Sequence, residues 1–248
     1  GIGLDGWMIK PPNFDPKKKY PMILYTYGEP AACTVKDCYT RFYPFHVMMA
    51  CKGYIVASID SRGSPAPRGR RFRKSVYRKI GIQSPDDQAN AVIRLKKARP
   101  YIGDVGIWGW SGGGSTTLHA MFRHGDVFKC GAAIAFVAHQ KFYDTVYQER
   151  YMGLISENKD AYEQGSPVTH VKGLHGKLLL IYGTGDDNCH YQNCEVLINA
   201  LVKENKYFQL LAYPNRTHGL SEGANTHRHM FESITKFFEE NLPISYPK

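Results

Sequence analysis

One stretch constrains the rest of the chain. Residues 105–114 read Val105-Gly106-Ile107-Trp108-Gly109-Trp110-Ser111-Gly112-Gly113-Gly114. An apolar run stops at a glycine, a single serine follows, and glycines open the next segment. This is the pattern G-x-S-x-G, from Gly109 to Gly113, in a strand–turn–helix setting. A serine at the tip of so sharp a turn holds a strained backbone, and its neighbours must do without bulky Cβ groups. The turn lifts the Ser111 hydroxyl clear of a sheet, where a carbonyl can reach it. A chain that contains this turn has to supply a parallel strand before it and a helix after it.

The flanking sequence supplies more of both. Residues 22–27, 54–59, 130–137, 177–182 and 207–212 read as strands, most of them continuous apolar runs. Such runs suit strands buried on both faces. Helical stretches fall at 39–51, 84–99, 113–123, 191–204 and 224–241. Ser84 is expected to cap the second of these, with Pro85 in the first helical position and Asp86 and Asp87 in the first turn. Residues 1–19 read as an N-terminal segment with a Pro11-Pro12 turn and a lysine run. Residues 140–175 form a long insertion rich in Tyr and His, of the kind that shapes a pocket. Strands alternating with helices predict an α/β domain spanning 1–248, with a mostly parallel sheet covered by helices on both faces.

Composition narrows the function. The chain has 248 residues, 43% of them hydrophobic, which is enough for one sizeable core. No apolar run is long enough to span a membrane. The net charge is +10, and the excess is concentrated in 61–85, which holds Arg62, Arg68, Arg70, Arg71, Arg73, Lys74, Arg78 and Lys79 but no acid. No nucleic-acid fold signature accompanies this block, so it reads as a solvated or domain-facing surface rather than a nucleic-acid site. The six cysteines form no C-x-x-C pair, and no H-E-x-x-H is present, so a zinc site is not indicated. Cys189 and Cys194 fall in an expected helix at a spacing poor for a bridge.

A neutral serine needs a base to take its proton and a third group to orient that base. In chains with this turn the order is Ser, then Asp or Glu, then His, each on a loop after a later strand. Asp186 follows the 177–182 strand within Gly183-Thr184-Gly185-Asp186-Asp187-Asn188. By spacing alone Asp187 is an equal candidate, and either acid could instead cap the following helix. His218 follows the 207–212 strand within Asn215-Arg216-Thr217-His218-Gly219. It is one of ten histidines, but His119, His124, His227 and His229 lie on or beside helices. The Gly112 N–H is one oxyanion donor by the geometry of the turn. A second should come from the loop after an early strand, where Tyr27 of Tyr25-Thr26-Tyr27-Gly28 offers a hydroxyl. The chemistry needs no metal and no organic cofactor.

These segments, with Pro12-Asn13-Phe14-Asp15, Arg70-Arg71-Phe72-Arg73, Tyr143-Asp144 and Glu149-Arg150-Tyr151-Met152-Gly153, carry a resemblance along nearly the whole chain. The chain resembles the catalytic domain of dipeptidyl peptidase IV-like serine peptidases of the prolyl oligopeptidase family. The resemblance implies an α/β-hydrolase fold with Ser111 as nucleophile, Asp186 rather than Asp187 as orienting acid, His218 as base and Tyr27 as side-chain oxyanion donor. It places Val137, Tyr143, Tyr147, Asn188 and Cys189 around the residue before the cut bond or on the substrate carbonyl. It implies a peptide substrate with proline, alanine or another small residue there, and release of dipeptides from a free N-terminus. It further implies an N-terminal β-propeller that these residues do not include, an extracytoplasmic location, and room for a homodimer.

The departures are specific. The family usually carries tyrosine directly after the nucleophile, where this chain has Gly112. The expectation is a wider and less proline-selective pocket. Gln140 stands where the family has a pocket tryptophan, and Phe136 where proline is common. Cys130 matches a cysteine that is bridged in animal members, but residues 236–248 contain no partner. Two other readings follow: a carboxylesterase or broad acyl hydrolase, favoured by Gly112, and a non-catalytic binding relative.

Overall fold

The computed structural model describes residues 1–244. In chain order its elements are β1 (Gly6–Ile9), β2 (Tyr20–Tyr25), α1 (Tyr43–Cys51), β3 (Ile55–Ile59), α2 (Gly69–Lys74), α3 (Gln83–Ala98), β4 (Ile102–Trp110) and α4 (Gly112–Arg123). There follow β5 (Phe128–Ile134), α5 (Thr145–Met152), α6 (Lys159–Gln164), β6 (Lys177–Gly183), α7 (Gln192–Lys203), β7 (Gln209–Tyr213) and α8 (Thr226–Asn241). Two short 3-10 turns, Gln140–Phe142 and Pro167–Gly173, flank α5 and α6.

The strands form one sheet in the order β1-β3-β2-β4-β5-β6-β7. β1 is antiparallel to β3, and every other pair is parallel. Side chains alternate between two cores. Met22, Leu24, Val105, Ile107, Leu178 and Leu180 face α3, α4 and α7 through Val92, Leu118, Met121 and Leu197. Ile23, Trp108, Trp110, Cys130, Ile134 and Ile181 face α1 and α8 through Phe45, Met49, Ile234 and Phe238. Successive residues of a strand point to opposite faces, so a strand buried on both sides must be apolar throughout. β4 meets that condition from Val105 to Trp110, at the centre of the sheet. Its Gly106 lies under Phe238, whose ring would stand 2.7 Å from any Cβ there.

The structure corrects several local expectations. The N-terminal segment contributes β1, the edge strand. Ser84 does not cap: α3 already begins at Gln83, and the Ser84 hydroxyl bonds Ser61 Oγ at 2.7 Å. Asp87 is buried and pairs with Arg62 at 2.7 Å instead of serving the helix terminus. The basic block contains the short helix α2, and part of its charge is matched locally, Arg78 to Glu157 and Arg68 to Asp5. Cys189 precedes α7 rather than lying in it. All six cysteines are free. Cys130 is fully buried, and burial pushes its thiol up to about 12. Of the stretch 236–248, in which the sequence offers no bridge partner for Cys130, residues 245–248 lie outside the described residues. No helix among the described residues is long and apolar enough to cross a membrane.

Candidate active site

Ser111 sits between β4 and α4 with φ 59° and ψ −122°, a conformation that costs a non-glycine residue about 1–3 kcal/mol. The surrounding glycines explain why the turn survives. A Cβ on Gly109 would stand 2.3 Å from the Gly113 carbonyl oxygen, and one on Gly113 would stand 2.2 Å from that of Thr26. Both obstacles are backbone and cannot swing away. The loop after β2 thus lies directly on the nucleophile turn, and Thr116 Oγ1 ties it down by donating to the Tyr27 carbonyl at 3.0 Å. Gly28, at φ 76°, is packed against Ser84 and Thr116.

The loops after β6 and β7 are joined just as closely. A Cβ on Gly183 would strike the Arg216 carbonyl at 2.1 Å. Thr184 N–H donates to the Tyr213 carbonyl at 2.9 Å, and Asn215 N–H to Thr184 Oγ1 at 2.9 Å. This pairing brings His218 Nδ1 to 2.9 Å from Asp186 Oδ2. The Asp186 side chain is fully buried, and its other oxygen accepts from the N–H groups of Asn188 and Cys189 at 2.9 and 2.8 Å. Asp187 is exposed. Neither acid caps α7, which starts at Gln192 behind Tyr191. The geometry therefore separates two acids that spacing alone could not. Trp110 Nε1, one residue before the serine, donates to the His218 carbonyl at 3.0 Å and holds the histidine loop against the turn.

Ser111 does not complete the chain of bonds in this structure. Among the described residues no hydrogen bond joins its hydroxyl to His218, whose Nδ1 faces Asp186. Nucleophile–base contacts are often loose without substrate and tighten when the reacting carbonyl is present. Gly112 opens α4, so its N–H has no partner within the helix and is free to meet an oxyanion. Tyr27 is half-buried, and burial, with the Glu29 carboxylate second, raises its hydroxyl far above the ordinary tyrosine range. It stays a protonated donor.

The remaining candidates gather around one side of the turn. Val137 is buried and held by Ser115 through both its N–H and its carbonyl. Tyr143 and Tyr147 meet edge to face at 5.3 Å. The Tyr182 hydroxyl lies 2.6 Å from the Phe136 carbonyl and 2.9 Å from that of Cys189, its single proton shared between them, and so joins the loops after β5 and β6. Gln140 does not act as a pocket wall: its amide donates to the Gly165 carbonyl at 2.6 Å and accepts from Gln148 at 2.8 Å.

The expected widening at Gly112 is opposed by an acidic side chain. A Cβ on Gly112 would stand 2.7 Å from both Cδ and Oε2 of Glu29. The carboxylate of Glu29 stands where a side chain on Gly112 would begin. Glu29 lies one residue beyond the Tyr25–Gly28 segment that the sequence singles out. The available signal was an acid two residues after Tyr27 together with a glycine directly after the nucleophile. Among the described residues no group of three His, Cys, Asp or Glu side chains is placed to hold a metal. Two surface clefts run along β1, one against α3 and one against residues 36–43, and neither contains a residue of this site.

Residues 41–244 match the prolyl oligopeptidase family. Mouse (Mus musculus) prolyl endopeptidase FAP is 34% identical over 250 residues, covering 98% of this chain and 32% of the relative. Bovine (Bos taurus) dipeptidyl peptidase 4 is 35% identical over 239 residues, covering 94% and 31%. The crystal structure of Porphyromonas gingivalis dipeptidyl peptidase 4 superimposes with a TM-score of 0.92 at 38% identity, covering 97% of this chain and 34% of that one. The chain thus spans about a third of the length of the relatives it matches.

Proposed function

The chain belongs to the prolyl oligopeptidase family and has its α/β-hydrolase fold, and on that footing we propose that it is the catalytic domain of a serine peptidase of dipeptidyl aminopeptidase type. The observation that carries the reading is the convergence at the carboxyl ends of the strands of a strained serine, a buried Asp186–His218 pair and a helix-terminal N–H without a partner in its helix.

The roles follow from the geometry. His218 takes the Ser111 proton as Oγ attacks the substrate carbonyl. Asp186 fixes the imidazole with Nδ1–H directed to its own oxygen and steadies the positive charge that develops. The Gly112 N–H and the Tyr27 hydroxyl meet the oxyanion, a donor of this kind being worth about 3 kcal/mol in the transition state. His218 returns the proton to the leaving amine, and water then releases the acyl group from Ser111 by the same steps. Relatives named dipeptidyl peptidase 4 support the dipeptidyl reading. A propeller domain elsewhere in the full protein would supply the grip on the substrate's amino terminus. The family resemblance also favours an extracytoplasmic location.

A fluorophosphonate reagent should modify Ser111 in the native protein, and a dipeptide amide should be cleaved with release of the dipeptide. Cleavage of short aryl esters without any peptide amide would favour the acyl-hydrolase alternative. Glu29, standing where a side chain on Gly112 would begin, weighs against that alternative.

A further inference from the structure

We propose that Glu29 sets which residue is accepted before the cut bond, and that its carboxylate selects a positively charged side chain, lysine or arginine, over proline. The inference rests on the serine-peptidase reading above and names the substrate class of that same site.

Three observations place Glu29 in the pocket. Its Cδ and Oε2 stand 2.7 Å from the position of a Gly112 Cβ, so the carboxylate borders the residue that follows the nucleophile. The Gly112 N–H faces the carbonyl under attack, and the side chain next to that carbonyl must pass this point. The Tyr147 hydroxyl donates to Oε2 at 2.8 Å, tying the acid to the tyrosines that face the same space. The acid is also incomplete. It is only 7% exposed, yet among the described residues no Lys, Arg or His pairs with it, and Oε1 accepts no hydrogen bond. A buried carboxylate held by a single hydroxyl is costly to keep, and such groups concentrate where function uses them. A substrate ammonium or guanidinium supplies the missing cation, whereas a proline ring leaves it unpaired.

The groups facing Glu29 are Tyr27 after β2, Tyr143 and Tyr147 in the insertion, and Cys189 after β6. Burial, the leading cause in each, raises all four, so they remain neutral around the carboxylate at neutral pH. Burial also holds the Glu29 carboxyl near 7, so ionisation of the pocket grows from pH 6 to pH 8.

The test compares the native protein with Glu29→Gln on two dipeptide amides that differ only in lysine or proline before the cut bond. The expected result is a wild-type preference for lysine of about tenfold or more in kcat/KM at pH 8, and a fall of that lysine-to-proline ratio by a similar factor in E29Q. A second measurement uses no variant: benzamidine should protect Ser111 from fluorophosphonate better than neutral benzamide does, and better at pH 8 than at pH 6. Wild-type preference for proline, or a ratio that E29Q leaves in place, overturns the proposal. Equal protection by benzamidine and benzamide overturns it as well. Failure of the wild type to label at all removes the nucleophile assignment beneath it, and is distinguishable because it does not depend on the cation.

Discussion

Burial raises the Glu29 carboxyl from 4.5 to about 7, with the Tyr147 hydroxyl only partly opposing it. The folded protein therefore holds this proton more tightly than the unfolded chain does. Below pH 4.5 both states are protonated and nothing is lost. As pH rises from 4.5 to about 7 the unfolded state has given up its proton while the folded state keeps it, so stability falls across that window and levels off above it. The shift corresponds to a cost on the order of 3 kcal/mol at neutral pH. Denaturant unfolding of wild type and E29Q at pH 4.5 and pH 8 should show the wild type losing more stability than the variant as pH rises. Parallel pH dependence of the two proteins would mean the carboxyl is not held in this way. The strained serine turn is legible from its own neighbours, and the Asp186–His218 contact from the place of both residues after later strands. Glu29 is not, because its importance lies in a contact with Gly112 that is distant in sequence. Gly112 alone pointed to an open wall, and only the fold shows what stands there.

At the scale of the element, the nucleophile turn makes two glycines obligatory and leaves one free. Gly113 is blocked by the Thr26 carbonyl, while Gly112 faces the end of a flexible side chain. Gly113→Ala should destabilise the protein by about 1–3 kcal/mol or more, since backbone has to move. Gly112→Ala should cost less than about 1 kcal/mol, since the Glu29 side chain can yield and the helical position itself accepts alanine. Thermal unfolding of the two variants distinguishes these expectations, and equal losses would contradict the packing described. Element boundaries were legible where both faces of a strand are apolar, as in β4 and β6, or where glycine ends a run. They were not legible where tertiary contacts overrode local signals. Ser84 looks like a helix cap, but α3 already starts at Gln83 and the Ser84 hydroxyl bonds Ser61 instead. β1 has no strong pattern of its own and becomes a strand by pairing with β3. α2 was hidden in a run read for its charge rather than its periodicity.

At the scale of the whole molecule, the parallel sheet brings the carboxyl ends of β2, β4, β6 and β7 to one edge, and the site is the meeting of the loops that leave them. The alternation of strand and helix made this architecture readable in the sequence. The stitching of the β6 and β7 loops through Gly183 and Thr184 was not, since neither residue announces its partner. The proposed activity depends on those loops forming one catalytic unit in which Asp186, and not its neighbour, orients His218. The direct measurement is kcat for peptide-amide hydrolysis by Asp186→Asn and Asp187→Asn. Loss of the tautomer-fixing carboxylate should lower kcat by about 10⁴-fold in D186N, while D187N, altered at an exposed side chain, should stay close to wild type. A large loss in D187N with activity retained in D186N would contradict the account.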